Sequence, residues 1–460
     1  MRLKKTFASM MDAYLKENLH VGTNFDVVRR EVGIGTKKGI LYYLSSLVSE
    51  VSLTSLMEGL KASLTPSTIT RIMFNGGVTA KEKKEDIIQD VMNGVAVLLL
   101  SYYDQAIMID VRFYPTRAVS EPTSEQTIRG SRDGFGESIN INVGLIRRRI
   151  RDSHLMIEQF IVSEKSKMSI AMIYLSDQAN PKILEGIRHK ISEIDVTSFV
   201  MTDRALEEVL FKQRYTPFPL VRYTERPDVA AINVMNGKIL LMVDTSASVI
   251  ITPTSFIDHT KHVEEFRQSP IVGSFTRFIR SIAVLLSLIL LPLWLALIQK
   301  DGFHHGVEIP ISNANPHWIV LQIFIAEIIF ELLRIASIHT PSQLTSAVGL
   351  IAAIVLSQVS LDLGLFLPEI ILMCAISAIC GFATPSYELS MANKVMQLIL
   401  IALVAVLGKA GFLIGMVVLF VYLSTLKTWG LPYLYPFCPF NEKEAWKLFS
   451  RSSASQKKKL

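Results

Sequence analysis

The chain has 460 residues, 50% of them hydrophobic, and a net charge of +6. That length exceeds one ordinary core; the modest charge, with no nucleic-acid motif beside it, excludes nucleic acid as a partner and leaves the basic residues as membrane-flanking and surface charge. The 3 cysteines, Cys374, Cys380 and Cys438, match neither zinc nor disulfide spacing and are expected as buried or lipid-side thiols.

Residues 1 to about 270 mix charge with apolar residues, whereas about 281 to 426 is mostly apolar. The expected fold is an α/β cytoplasmic domain of two small lobes followed by an all-α polytopic membrane domain. The expected divisions are an N-terminal helical tail (1–19), lobe 1 (20–120) and a Gly/Arg-rich motif with a linking helix (121–154). Lobe 2 with a juxtamembrane helix (155–270), the membrane domain (271–430) and a cytoplasmic basic tail (431–460) complete the chain.

In chain order, "MRLKKTFASMMDAYLKENL" has a basic start but no apolar run, so it reads as an amphipathic helix rather than a signal peptide. The soluble part is therefore expected in the cytoplasm. Gly39–Val48 is a predicted strand, followed by a helix over about Ser49 to Leu60, and Val95–Ser101 pairs with Ala106–Pro115 across "YYDQ". In the second lobe Lys167–Ser176 is a buried strand and Pro181–Ile194 a helix with proline at its start. "KILLMVDTS" and "SVIITPTSF" form a tight strand pair across Ser246–Ser248. No internal repeat is visible.

Between the lobes, "GSRDGFGE" lacks the Lys-Ser/Thr ending of a phosphate loop, and no dinucleotide-binding pattern occurs there. A capped turn leads instead into a helix from about Glu137 to Ile150, with Arg147, Arg148, Arg149 and Arg151 at its end, where the helix dipole favours cations. "DHTKHVEE" is not a zinc-binding H-E-x-x-H and reads as a solvated link before the membrane. No nucleophile–base set is found, so the chain is expected to be no enzyme, with no catalytic residues, no cofactor and no metal.

The predicted spans are Ser281–Gln299, His317–Ile338, Leu344–Leu361 and about Leu365–Ala383, then Val395–Leu426, which "GKAG" interrupts at Gly408–Gly411. That last stretch reads as one steeply tilted helix or a hairpin of two short passes. Cations flank both ends, which demands an even number of passes, about six, with Arg334 and Lys394 on cytoplasmic ends. Glu327, Glu331 and Arg334 share one face of the second span. They read as an interhelical clamp, as carboxylates beside a cation path, or as a proton relay. In the third span Ser346, Gly349, Ala353, Ser357 and Ser360 form a small or polar stripe, suited to helix contact or to lining a narrow pore.

Several stretches resemble one known family. "IRGSRDGFGESININVGLIRRRIRD" looks like the signature of the GerA-type spore germination receptor A-subunit family. "AEIIFELLRIA", "FATPSYELSMANK" and "LKTWGLPYLYPFCPF" look like its membrane motifs. Ser131, Asp133, Ile335 and Trp429 depart from the usual pattern, and Ile335 removes a second acid beside Arg334. The resemblance carries over to Arg129, Gly130, Arg132, Gly134, Phe135, Glu137, Asn142, Arg147, Arg148 and Arg149 as assembly or gating positions. In the membrane it covers Glu327, Phe330, Glu331 and Arg334. "VGTNFDVVRREVGIGTKKGILYYLSSLV" and "LFLPEIILMCAISAICGFATPSYELS" look like the stage V sporulation AF branch.

The resemblance implies a multi-pass protein of the spore inner membrane, with the N-terminal domain and C-terminal tail cytoplasmic. It also implies an oligomeric channel that releases monovalent cations and amplifies germination. The implied partners are further copies of the chain in a ring-shaped homo-oligomer, another small membrane subunit, monovalent cations and the lipid bilayer. The alternatives are a nutrient germinant receptor A subunit and a non-conducting signalling subunit.

Overall fold

The computed structural model describes residues 6–34, 37–62, 77–114, 125, 127, 129–194, 202–211, 216–298, 316–339, 349–350, 354, 358–442 and 445. The chain divides into two compact units, one of Met1–Arg214 with Val221–Pro253 and one of Tyr215–Leu220 with Thr254–Leu460.

The first unit holds two five-stranded antiparallel sheets. Lobe 1 runs α1 (Phe7–Asn18), β1 (Val27–Ile34), β2 (Lys37–Leu44), α2 (Glu50–Ala62), β3 (Val78–Lys81), α3 (Lys84–Met92), β4 (Ala96–Leu100) and β5 (Ala106–Ile109). The sheet order is β1-β2-β4-β5-β3. Because successive side chains leave a strand on opposite faces, Tyr42, Leu44, Val97 and Leu99 meet α1 and α3 on one side. Leu41, Tyr43, Leu98 and Leu100 meet α2 on the other. Burial on both faces explains why β4 reads AVLLL rather than alternating. Helix α1, capped by Thr6, buries Ala8, Met11 and Leu15 in this core. The segment expected as a tail is thus part of lobe 1. Strand β1 was not among the predicted strands; its charged "RRE" suits an edge strand, where charge discourages further pairing.

Lobe 2 repeats the plan. Helix α4 (Ile139–Arg149) precedes β6 (Leu155–Val162) and β7 (Met168–Leu175). Helices α5 (Pro181–Ser192) and α6 (Thr202–Phe211) lead to β8 (Arg222–Thr224), α7 (Pro227–Met235), β9 (Ile239–Val243) and β10 (Val249–Thr252). The order β6-β7-β9-β10-β8 reproduces that of lobe 1. The same strand order thus recurs in both lobes, although no repeat is visible in the residues. Each lobe also ties its first strand pair to a helix with a carboxylate, a tyrosine and an arginine. In lobe 1 Asp12 accepts from Tyr42 at 2.5 Å and from Arg29 at 2.8 Å. In lobe 2 Glu158 accepts from Tyr174 at 2.5 Å and from Arg188 at 2.7 Å. Burial and the adjacent carboxylate push both tyrosine hydroxyls up from their ordinary range.

The second unit begins with a short 3-10 turn, Phe256–His259, closed by a Ser255–Asp258 capping box. The expected solvated link is in fact buried: His259 packs against the ring of Tyr433, and Glu265 takes ion pairs from Arg277 and Arg280. Phe218 and Phe256 complete the ring cluster around Tyr433. The long helices are α8 (Pro270–Ile298), α9 (Pro316–His339), α10 (Pro368–Phe382) and α11 (Tyr387–Thr425). Among the described residues α8 and α11 are long and apolar enough to cross a membrane, and α10 is a shorter apolar helix.

Helix α11 breaks at Gly408, whose φ of 62° and ψ of −143° are not helical. A Cβ on Gly411 would fall 2.2 Å from the Leu403 carbonyl oxygen, and one on Gly415 2.5 Å from Leu400 Cδ2. Residues eight and fifteen apart along one straight helix would lie about 12 and 22 Å from each other. The chain therefore doubles back, and of the two readings the hairpin is the one observed. Most of the predicted span Leu344–Leu361 lies outside the described residues.

Candidate functional site

The charged residues of α9 do not face outward. Glu327 is only 1% exposed, and its Oε2 accepts from Lys394 of α11. A carboxylate and an ammonium surrounded by Leu and Ile carry a desolvation cost that only pairing offsets. Lys394 also donates to Gln397 Oε1 at 3.2 Å, and Gln397 Nε2 donates to Ser377 Oγ of α10 at 2.8 Å. One turn away, Asn393 Nδ2 reaches Ser287 Oγ at 3.1 Å and the Val284 carbonyl at 3.2 Å, both on α8. Four helices thus meet on one polar cluster. Arg334 lies 3.8 Å from Glu331 and 4.9 Å from the Tyr387 ring centroid. The aromatic face partly replaces the acid that Ile335 does not supply.

Lys394 sits about 10 Å from the start of its helix and turns to Glu327, a pairing that its reading as a flanking charge does not include. The signal for it was available. Ser390, Asn393, Lys394 and Gln397 recur at spacings of three, four and seven, a polar stripe on an otherwise apolar helix, just as Glu327, Glu331 and Arg334 do on α9.

Of the candidate pore stripe, Ser346, Ala353 and Ser357 lie outside the described residues. Gly349 is half-buried, and Ser360 is buried in the short turn Ser360–Asp362.

The arginine-rich signature is a structural seam within the first unit. Arg147, fully buried, makes a two-pronged ion pair with Asp26 at 2.9 and 3.0 Å and donates to the Leu155 carbonyl at 2.9 Å, so it ties lobe 2 to lobe 1. Phe135 is buried, and its amide donates to the Glu225 carbonyl at 2.8 Å. Gly134 is buried beside it, and Gly130 takes a φ of 121° that favours glycine. Asn142 bonds Gly136 in both directions, closing the turn before α4. Arg149 reaches Asp133 at 2.5 Å. Burial raises the Asp133 carboxyl, but the bonds from Arg149 and Ser131 outweigh it and hold it below the ordinary aspartate range. Arg129, Arg132 and Glu137 are exposed, and Arg148 covers the Tyr114 ring.

Comparison with known proteins gives a consistent picture. A family profile described as "GerA: Bacillus/Clostridium GerA spore germination protein" matches residues 13–460. Stage V sporulation protein AF of Bacillus subtilis (strain 168) is 41% identical over 452 residues, 96% of this chain and 92% of that protein. Spore germination protein KA of the same organism is 28% identical over 443 residues, 92% of this chain and 80% of its own length. The crystal structure of the N-terminal domain of the A subunit of the Bacillus megaterium spore germinant receptor GerK3 aligns with a TM-score of 0.41 at 25% identity. That alignment covers 55% of this chain and 97% of the domain.

Proposed function

We propose, from the premise that this chain belongs to the GerA family of spore germination proteins, that it is the membrane subunit of an oligomeric cation channel acting in bacterial spore germination. In this reading copies of the chain form a ring, together with another small membrane subunit, in the spore inner membrane. The two lobes and the C-terminal tail are cytoplasmic, and the ring releases monovalent cations to amplify the germination response. The chain acts as no enzyme and needs no cofactor. Support comes chiefly from the polar cluster at Glu327, Lys394, Gln397 and Ser377, buried between apolar helices. Ionisable groups are costly at membrane depth and are characteristically found where ions or protons pass or helices must register. A second reading, a signalling subunit that conducts nothing, draws on one observation: Glu327 and Lys394 are paired, as a pure clamp requires.

Monovalent-cation flux through proteoliposomes containing the purified full-length protein, with and without candidate membrane partners, separates these readings. We expect flux in the wild type and its block by Ala353→Phe and Ser357→Phe, which would line the pore with the third predicted span. Flux that survives both substitutions moves the pore to another helix. No flux under any condition leaves the signalling subunit.

A further inference from the structure

The polar cluster contains more oxygen acceptors than donors. Among the described residues, Glu331 Oε1 and Asn393 Oδ1 are buried and have no hydrogen-bond partner, and beyond Lys394 the Glu327 carboxylate has only the weak thiol donor of Cys374. Glu327 and Asn393 are each 1% exposed. Buried oxygens without donors are costly and are a reason to look for a missing ligand. Beside them lies a cavity of about 10 Å³, lined by Ser287, Ser377, Ser390, Glu331, Arg334 and Lys394. That is room for about one water-sized particle. Its walls carry three hydroxyls and a carboxylate, the oxygen ligands that alkali-metal cations prefer, alongside the Arg334 and Lys394 cations and the rings of Phe330 and Phe382.

The group that already occupies the cluster is itself a monovalent cation. Lys394 Nζ is held by Glu327 Oε2 and Gln397 Oε1. An ammonium group is close to K⁺ in size and takes the same kind of oxygen cage. With Glu327 and Glu331 opposed by Lys394 and Arg334, the cluster is neutral. Withdrawing the lysine charge leaves one net negative charge in a water-poor site, which a free cation would then neutralise.

We propose that Lys394 is a tethered cation: its ammonium fills a seat, built from Glu327, Gln397 and the neighbouring hydroxyls, that takes a K⁺-sized alkali-metal ion whenever the ammonium is absent. The proposal deepens the reading of the chain as part of a cation channel, since a seat that a side chain fills or vacates is a means of closing and opening an ion path. It assigns Lys394 a role beyond that of Glu327's counter-ion.

The test is binding of radioactive rubidium, as a stand-in for K⁺, to the purified full-length protein in detergent. Wild type should show no saturable binding. Lys394→Met should bind about one ion per chain, displaced by K⁺ and not by N-methylglucamine. Lys394→Met combined with Glu327→Gln should lose at least about tenfold in affinity, because the carboxylate supplies the charge. Lys394→Arg, which keeps a tethered cation, should not bind. Absence of saturable binding to a Lys394→Met protein that elutes and melts like wild type overturns the proposal. If Lys394→Met does not fold, Lys394→Gln, which keeps a donor for Glu327, takes its place. Failure of both to fold, with K⁺ present, makes the ammonium a structural clamp and equally ends the idea. Rubidium binding without proteoliposome flux keeps the seat and removes the channel; flux without binding does the reverse.

Discussion

Asp26 and Arg147 lie 121 residues apart in the chain, and both are fully buried. Each satisfies the other with two hydrogen bonds, and Arg147 adds a third to the chain at Leu155. Removing one partner of such a pair leaves an uncompensated interior charge. Asp26→Asn or Arg147→Met should therefore cost about 3–5 kcal/mol in the thermal unfolding of the purified protein. The double replacement Asp26→Leu with Arg147→Met should recover most of that loss, as isosteric apolar pairs do. Equal losses in the single and double variants would mean that packing, not charge, holds the seam. The importance of Arg147 was legible in the "RRRIRD" run, but its task was not. A run of arginines on a last helical turn reads as dipole and solvent charge; nothing local reveals that one of them turns inward to a carboxylate more than a hundred residues away.

At the scale of elements, long apolar or alternating segments were readable and partners were not. Strands β2, β4, β5, β7, β9 and β10 and helices α2, α4 and α5 fall where periodicity put them, within a few residues at each end except that β5 stops at Ile109, well short of Pro115. Strand β1 was hidden by its charges, and the buried "DHTKHVEE" by a polarity that its capping box and its Glu265 ion pairs absorb. Lys394 was spent on topology because a lone lysine near the start of an apolar run looks like a flank. The α11 hairpin was one of two open readings, and the pair Gly411 and Gly415 decides it, four apart and facing the preceding arm. The two glycines should tolerate change unequally. Gly411→Ala meets a backbone carbonyl that cannot swing away and should sharply reduce the yield of monodisperse protein in detergent. Gly415→Ala meets the end of the Leu400 side chain and should cost far less. Similar yields for the two variants would argue against a tight turn at Gly408.

At the scale of the whole molecule, the proposed topology, with lobes and C-terminal tail both cytoplasmic, requires an even number of passes and puts residue 438 on the side of the N-terminal domain. Cys438 is half-buried, while Cys374 and Cys380 are buried, so the native chain carries its own reporter. A membrane-impermeant maleimide should label Cys438 in inverted vesicles and not in sealed right-side-out ones, with Cys438→Ser as the blank. Labelling only from the outside would require an odd count. The two-lobe plan of the first unit was anticipated, but the shared strand order was not, because no internal repeat is visible in the residues. Even the triads have exchanged signs: lobe 1 has its arginine on the strand and its acid on the helix, and lobe 2 the opposite. The Asp26–Arg147 seam between these lobes has a consequence for inheritance. Any change that removes the charge of one residue alone leaves the other bare in the interior. Across descendants the two positions should therefore persist together or turn over together, which would make the joint between the lobes a slow locus.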